Sequence, residues 1–213
     1  LHRRTALSVS AAALIAAAPL LTACGSDAHP GAAAVVGGQR IEVSTVQAQV
    51  KDVRTAQAAS PEADRLIKAT GDLTRQKLHS LIFDQVVARV ARDNGVTASR
   101  AEIQQARASF AQQSGGERPM AATLLQQQSV APDEIDDVAR RAVLMDKIAT
   151  KLGATNSPEG QQKLTEAFST ASKALRIDVN PRFGAWDNER ITLGTYSAPW
   201  VRQVREGAVE AGA

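Results

Sequence analysis

One cysteine, three histidines and a few acidic pairs are the residues here whose chemistry could reach beyond packing. Cys24 is the single cysteine of 213 residues, so no intramolecular disulfide can form. His2 and His29 fall in the N-terminal 30 residues, which leaves His79 as the one imidazole in the body of the chain. A lone histidine on a polar helix face reads as a solvated surface residue. No H-x-x-x-H or H-E-x-x-H spacing is present, and no cysteine ligand accompanies His79, so no metal site is expected. G-x-S-x-G, G-x-G-x-x-G and the phosphate-loop pattern are absent as well. The acidic pairs Asp133/Glu134 and Asp136/Asp137 stand where a helix begins, and the partial positive charge of a helix N-terminus accounts for them. No residue is nominated as a base for a Ser or Thr nucleophile. The expectation is a protein that is not an enzyme and carries no cofactor.

Cys24 gains meaning from what precedes it. Arg3 and Arg4 are followed by an uncharged, Ala- and Leu-rich stretch up to Ser26, interrupted by Pro19. A basic start, an apolar core and small residues near a cleavage point are the parts of an export signal. A retained span would need about 20 strongly apolar residues, so spanning is the weaker reading. Leu21-Thr22-Ala23-Cys24 resembles a lipobox. That resemblance implies that the Cys24 thiol takes a diacylglycerol, with palmitate-type acyl chains, and becomes the new N-terminus after cleavage. The alternative is an ordinary signal followed by a stray cysteine. Arg3-Arg4 leaves open whether export is general or twin-arginine. Leu1 in place of Met reads as an alternative start codon or a trimmed sequence.

The implied organisation is a lipoprotein signal at 1–23, a lipidated Cys24 with a polar tether through 32, a domain at 33–200 and a frayed tail at 201–213. Removing Arg3 and Arg4 from 25 Lys+Arg leaves 23 against 22 Asp+Glu, so the mature chain is nearly neutral. With no basic stretch interleaved with aromatics, nucleic-acid binding has no support. Aromatics make up 3% of the chain, and Ala, Gln, Arg and Leu abound, a helix-rich signature.

Apolar runs on either side of Gly37-Gly38 predict a small hairpin, because glycines accept the positive φ of tight turns. Ser44–Gln47 reads as a capping box opening a helix to about Gln57. Ser60-Pro61-Glu62 opens a second, running to Asp93 with Gly71 as its weak point. Within it Leu73, Leu78, Leu81, Ile82, Val86 and Val90 form an apolar stripe. Asn94-Gly95 closes that helix, and Ser99–Glu102 is a further capping box. Later helices are expected near Pro119–Gln128, from Ala131-Pro132 to Gly153, and from Ser157-Pro158 to about Ala174. Leu175–Val179 alternates apolar and charged residues, as a half-buried strand does, and Asn180–Gly184 makes a turn. Four of seven aromatics, Phe183, Trp186, Tyr196 and Trp200, crowd the C-terminal end. Phe183 and Trp186 are expected to tie the final strand to the helices, whereas the roles of Tyr196 and Trp200 stay open.

The order of these pieces resembles the N-terminal chaperone module of SurA- and PrsA-type extracytoplasmic foldases. Val35-Val36-Gly37-Gly38 through Ile41 is similar to that family's opening hairpin, with Gly37 where Asn is more usual. Leu81-Ile82, Ala91, Asn94-Gly95-Val96-Thr97 and Glu102-Ile103 resemble its central helix, turn and next helix. Asp133-Glu134-Ile135 through Lys147-Ile148 resembles its late helix. Val179-Asn180-Pro181-Arg182-Phe183-Gly184 with Trp186 is similar to the closing segment of actinobacterial lipoproteins of this group. The resemblance implies a mainly α fold, a SurA N-terminal-like helical domain whose small β-hairpin pairs with a C-terminal strand. It further implies binding of unfolded or exported polypeptides through an apolar groove. Isomerase members carry a parvulin domain after the late helix, but only Gly153 to Ser157 is available here, far short of the roughly 50 residues a domain needs. The parvulin histidine of the first strand is missing too. The other reading is a structural or adaptor envelope lipoprotein that docks one partner.

The membrane lipid held through Cys24 is the partner most directly tested. A diacyl anchor gives stable attachment where a single chain does not. Cys24→Ser should therefore release the protein from the extracytoplasmic face or leave its precursor uncleaved. Equal retention of the variant on membranes after a high-salt wash would reject lipidation.

Overall fold

Residues 31–154 and 157–195 are described by a computed structural model of the chain. Strands β1 (Ala32–Val36) and β2 (Gln39–Glu42) form the expected antiparallel hairpin. Gly37 and Gly38 turn it at φ +58° and +79°, the pair of positive values a two-residue hairpin loop requires. Helix α1 (Val43–Ala58) follows without a gap. Its cap is Glu42, which makes no side-chain capping bond, so the Ser44–Gln47 box is not used. The strand runs straight into the helix, and Ser44 is already inside the first turn.

The long helix expected after Ser60-Pro61 is two helices. Helix α2 (Ala63–Ala69) and helix α3 (Leu73–Asp93) are separated at Thr70–Asp72, around Gly71. Arg54 of α1 sits at this break. Its guanidinium donates to the Ile67 and Thr70 carbonyls at 3.2 and 2.8 Å and to Thr70 Oγ1 at 2.6 Å. A cation and donor at a helix C-terminus satisfies carbonyls that have no intrahelical partner. At the far end of α3, Gly95 has φ +64°, Gly95 N donates to Arg92 O and Val96 N to Ala91 O, a Schellman closure.

Helix α4 (Arg100–Gln113) starts on the expected Ser99–Glu102 box, with both reciprocal bonds made. Lys147 donates to Glu102 at 2.7 Å, and this ion pair, with the bonds from Ser99, lowers the Glu102 carboxyl from its ordinary 4.5 to about 2. Helix α5 (Glu117–Gln128) follows Gly115-Gly116. A 3₁₀ turn at Pro132–Glu134 leads into helix α6 (Ile135–Lys151). Ser157 Oγ caps helix α7 (Pro158–Ala174) by accepting from Gly160 N. Between α6 and α7 the connection spans only residues 152–157.

The strand expected over Leu175–Val179 is shorter. Leu175 caps α7 and Arg176 takes φ +46°, so only Asp178–Val179 is extended, as β3. It pairs antiparallel with β1, giving the sheet order β2-β1-β3, and Asn180 N extends the join to Ala33 O at 3.0 Å. The expected pairing of hairpin and C-terminal strand is thus present. A second hairpin, β4 (Ala185–Asp187) with β5 (Thr192–Gly194), was not expected from the sequence. Its turn rests on Asp187 Oδ1, which accepts from the N–H groups of Glu189 and Arg190, a side-chain turn with no glycine to announce it.

The main core gathers β1, α3, α7 and the C-terminal hairpin, with Leu78, Ile82, Val86, Val87 and Val90 of α3 no more than 1% exposed. Two smaller clusters lie under α1, α2 and α5 and among α4, α5 and α6. No helix among the described residues is long and apolar enough to cross a membrane.

His79 is not a solvated surface residue. It is half-buried, its ring stacks on Phe83 and lies 5.6 Å from Trp186, and Nε2 is 3.3 Å from Ile191 O. The C-terminal hairpin, invisible in the sequence, covers that face of α3. Trp186 Nε1 donates to the buried Ser172 Oγ at 2.8 Å, and Ser172 donates onward to Asn188 Oδ1. Trp186→Ala should cost about 3 kcal/mol, the low end for Trp truncation because the ring is only half-buried. Thermal unfolding measures this, and an unchanged melting temperature would reject the tying role of Trp186.

Candidate functional site

The charged residues of the helical body are where sequence reasoning saw least. Lys77 lies one turn from Leu73 and one from Leu81, on the apolar side of α3, and its side chain is 6% exposed. Burying an ammonium without a partner is prohibitive. Glu134 supplies the partner at 2.5 Å, and the same carboxylate accepts from Ala131 N at 2.7 Å. Glu134 thus does serve helix-start chemistry, as expected, and carries a cross-helix ion pair as well. Seven residues along α3, Asp84 pairs with Arg141, which donates from Nε at 2.6 Å and from Nη2 at 3.1 Å. Both pairs span 57 positions, so α3 and the Glu134–Arg141 segment run parallel. Their signs are reversed, and a slip of seven residues would set Lys77 against Arg141. Burial pushes the Asp84 carboxyl above its ordinary value, opposed by the Arg141 hydrogen bonds and charge. Arg141 also lies over the Phe83 ring at 5.8 Å.

These pairs flank a cavity of about 230 Å³ between α1, α3 and the α5–α6 connection. Its apolar lining is Leu81, Val130 and Val138, and Gln49, Gln76, Ser80 and Gln128 add neutral polar groups. A second cavity of about 210 Å³ lies among α4, α5 and α6, lined by Phe110, Met120 and Leu124. Gln128 and Val138 line both. The two hollows therefore adjoin at these residues and make up a two-chambered trench, mixed in polarity at one end and mainly apolar at the other. An apolar groove was expected, and the difference is physical. Ile67 is the one large hydrophobic residue exposed among the described residues, because α3 and its neighbours cover nearly all the others.

Of the acidic residues singled out from the sequence, Glu134 and Asp137 line the trench. Cys24 and the lipobox residues Leu21, Thr22 and Ala23 are outside the described residues, as are Tyr196 and Trp200. The Asn180–Gly184 segment is a turn in which Phe183 N donates to Asn180 O and Gly184 N to Pro181 O. Asn180 Nδ2 reaches Ala32 O at 3.3 Å, Phe183 is buried, and Arg182 lies over the Phe183 ring. Gly184 has φ +130°, and a Cβ there would meet Gly194 O at 2.1 Å, so only glycine fits. None of the residues Asn180 to Gly184 lines the trench. No group of three or more His, Cys, Asp or Glu residues suited to a metal ion occurs among the described residues.

The stretch from the hairpin through the central helix to the late helix has a counterpart among known families. The family model of the SurA-like N-terminal domain matches residues 2–149. The chain belongs to that family. No curated protein and no solved structure matches it. The match to the SurA-like N-terminal domain runs through α6, so it takes in every trench-lining residue. Helix α7 and strands β3–β5 lie beyond it. SurA N-terminal domains are chaperone-type modules, and the trench is one feature here that such a role could use.

Lys77→Met should destabilise the protein by roughly 3–5 kcal/mol, the usual cost of leaving one buried charge unpaired. The double variant Lys77→Met with Glu134→Gln should recover much of that loss, since Gln keeps an acceptor for Ala131 N. Chemical denaturation of the two variants checks both statements.

Proposed function

We propose that this chain is a SurA-like domain that holds unfolded, exported polypeptides at the extracytoplasmic face of the cell membrane, anchored by lipid on Cys24 and without prolyl isomerase activity. Anchoring rests on the sequence of the signal and its lipobox-like end. Holding rests on family membership and, above all, on the adjacency of the two hollows at Gln128 and Val138. A closed pocket suits a compact ligand, whereas a trench with two chambers suits a length of chain. Such binding calls for no ionisable catalytic group. The short α6–α7 connection leaves no room at that point for an isomerase domain.

A second reading has one observation in its favour. With Ile67 as the one exposed large hydrophobic among the described residues, the surface is sparing for a binder of many clients. This favours an adaptor that docks a single envelope partner.

Suppression of aggregation separates the two. Residues 24–213 should suppress aggregation of two unrelated heat-unfolded proteins. Val138→Arg, which places a long cation where the chambers join, should abolish that effect at an unchanged melting temperature. The same protein should leave the isomerisation of an X–Pro peptide at its uncatalysed tens to hundreds of seconds. Failure to protect either protein would reject the holding reading in favour of the adaptor, and an acceleration that survives further purification would reject the non-enzyme part.

A further inference from the structure

The charged groups of the trench are spent on one another. Lys77 is paired with Glu134, Asp84 with Arg141, and Asp137 with Arg140 at the rim. The polar groups still free to bind are neutral, and in the first cavity they are Ser80 and three glutamines. Gln49 comes from α1, Gln76 from α3 and Gln128 from the end of α5, and all three line the same cavity. Their side-chain amides make no hydrogen bond to any described residue. Gln49 is half-buried, and Gln76 and Gln128 are exposed, so in the free protein water satisfies them. Each amide offers an acceptor oxygen and two N–H donors. Leu81, Val130 and Val138 line the same cavity and offer dispersion contacts and no directional bond.

Three neutral amides from three helices, in one cavity with apolar side chains, match one ligand chemistry well. An extended peptide presents N–H and C=O groups in regular alternation, with side chains to either side. A charged ligand would find no unpaired counter-ion among these groups, and a purely apolar one would displace water from the amides without replacing its bonds. We infer that Gln49, Gln76 and Gln128 form a main-chain reader, which binds a partner polypeptide through its peptide groups with little regard to side-chain sequence or charge. This rests on the holding function proposed above and names what the trench recognises in its clients. The adjoining chamber of Phe110, Met120 and Leu124 would then receive whichever apolar side chain falls there.

The probe is a fluorescent 12-residue peptide of Leu, Ser, Val and Thr, with a scrambled version and a version N-methylated at alternate peptide bonds. N-methylation removes the donor and leaves the side chains. Anisotropy with residues 24–213 should show the parent and scrambled peptides binding within about threefold of each other. The N-methylated peptide should bind at least about tenfold more weakly, as the loss of two or three hydrogen bonds predicts. In the triple variant Gln49→Met, Gln76→Met, Gln128→Met, which keeps length without hydrogen bonding, that discrimination should vanish while the melting temperature holds. Affinity for the parent should change less than about threefold between low and high salt, since no ionic contact is made. Equal binding of parent and N-methylated peptides by the unaltered protein would overturn the main-chain reader and leave the holding function standing. Discrimination that persists in the triple variant would also overturn it, because other groups would then be reading the peptide. If no peptide binds at all, the holding function fails and this inference fails with it.

Discussion

Helix α3 is covered on nearly every side, and this is the constraint from which the architecture follows. A helix half-buried against one partner needs one apolar stripe, but α3 meets β1, α1, α6, α7 and the C-terminal hairpin. Its buried residues accordingly extend beyond one stripe, from Leu73 through Lys77, Leu78 and Ile82 to Val86, Val87, Val90 and Ala91. Covering so much of a 21-residue helix takes elements from both ends of the chain. The β1–β3 pairing and the turn at Asn180–Gly184 bring the C-terminal segment back to the N-terminal strand and so close the cover. Small side chains in β1, Ala32, Ala33 and Ala34, are all buried in that sheet.

Such complete burial creates an electrostatic problem at Lys77, and its solution shapes the site. The ammonium cannot reach water freely, so Glu134 is drawn to it from the start of α6. A second pair one heptad on, with reversed sign, favours the parallel register of the two helices over its neighbours. A salt bridge of this kind adds little net stability against a hydrophobic alternative. Its contribution lies in register, the best-attested use of buried polar groups. The trench then opens where the paired side chains meet the shorter helix α5 and packing cannot be completed.

The ring contacts at the C-terminal hairpin meet the polar chemistry of the trench at Arg141. His79, Phe83, Trp186 and Phe168 form a chain of ring contacts between α3, α7 and the hairpin. Arg141 touches both worlds, holding Asp84 at the trench and lying over Phe83. Movement of α6 against α3 would therefore be felt on both sides of the central helix.

The sequence by itself determined the helical class, the hairpin at Gly37-Gly38, most helix ends and the family, because these depend on local physics: apolar period, caps, glycine conformations and chain order. Ser99–Glu102, Asn94-Gly95 and Ser157-Pro158 each act within one or two turns of themselves. Reading failed where a distant partner intervened. Ser44 lost its capping role because β2 runs directly into α1, and Arg176 took a left-handed conformation that shortened the strand after Leu175. His79 passed for a surface residue because its cover, β4–β5, has no local signature. Only tertiary structure could decide that the Lys77–Glu134 and Asp84–Arg141 pairs form, since their members stand 57 residues apart. The same holds for Gln49, Gln76 and Gln128. Each is an unremarked polar residue on its own helix, and convergence of three helices is a property of packing that no local pattern encodes.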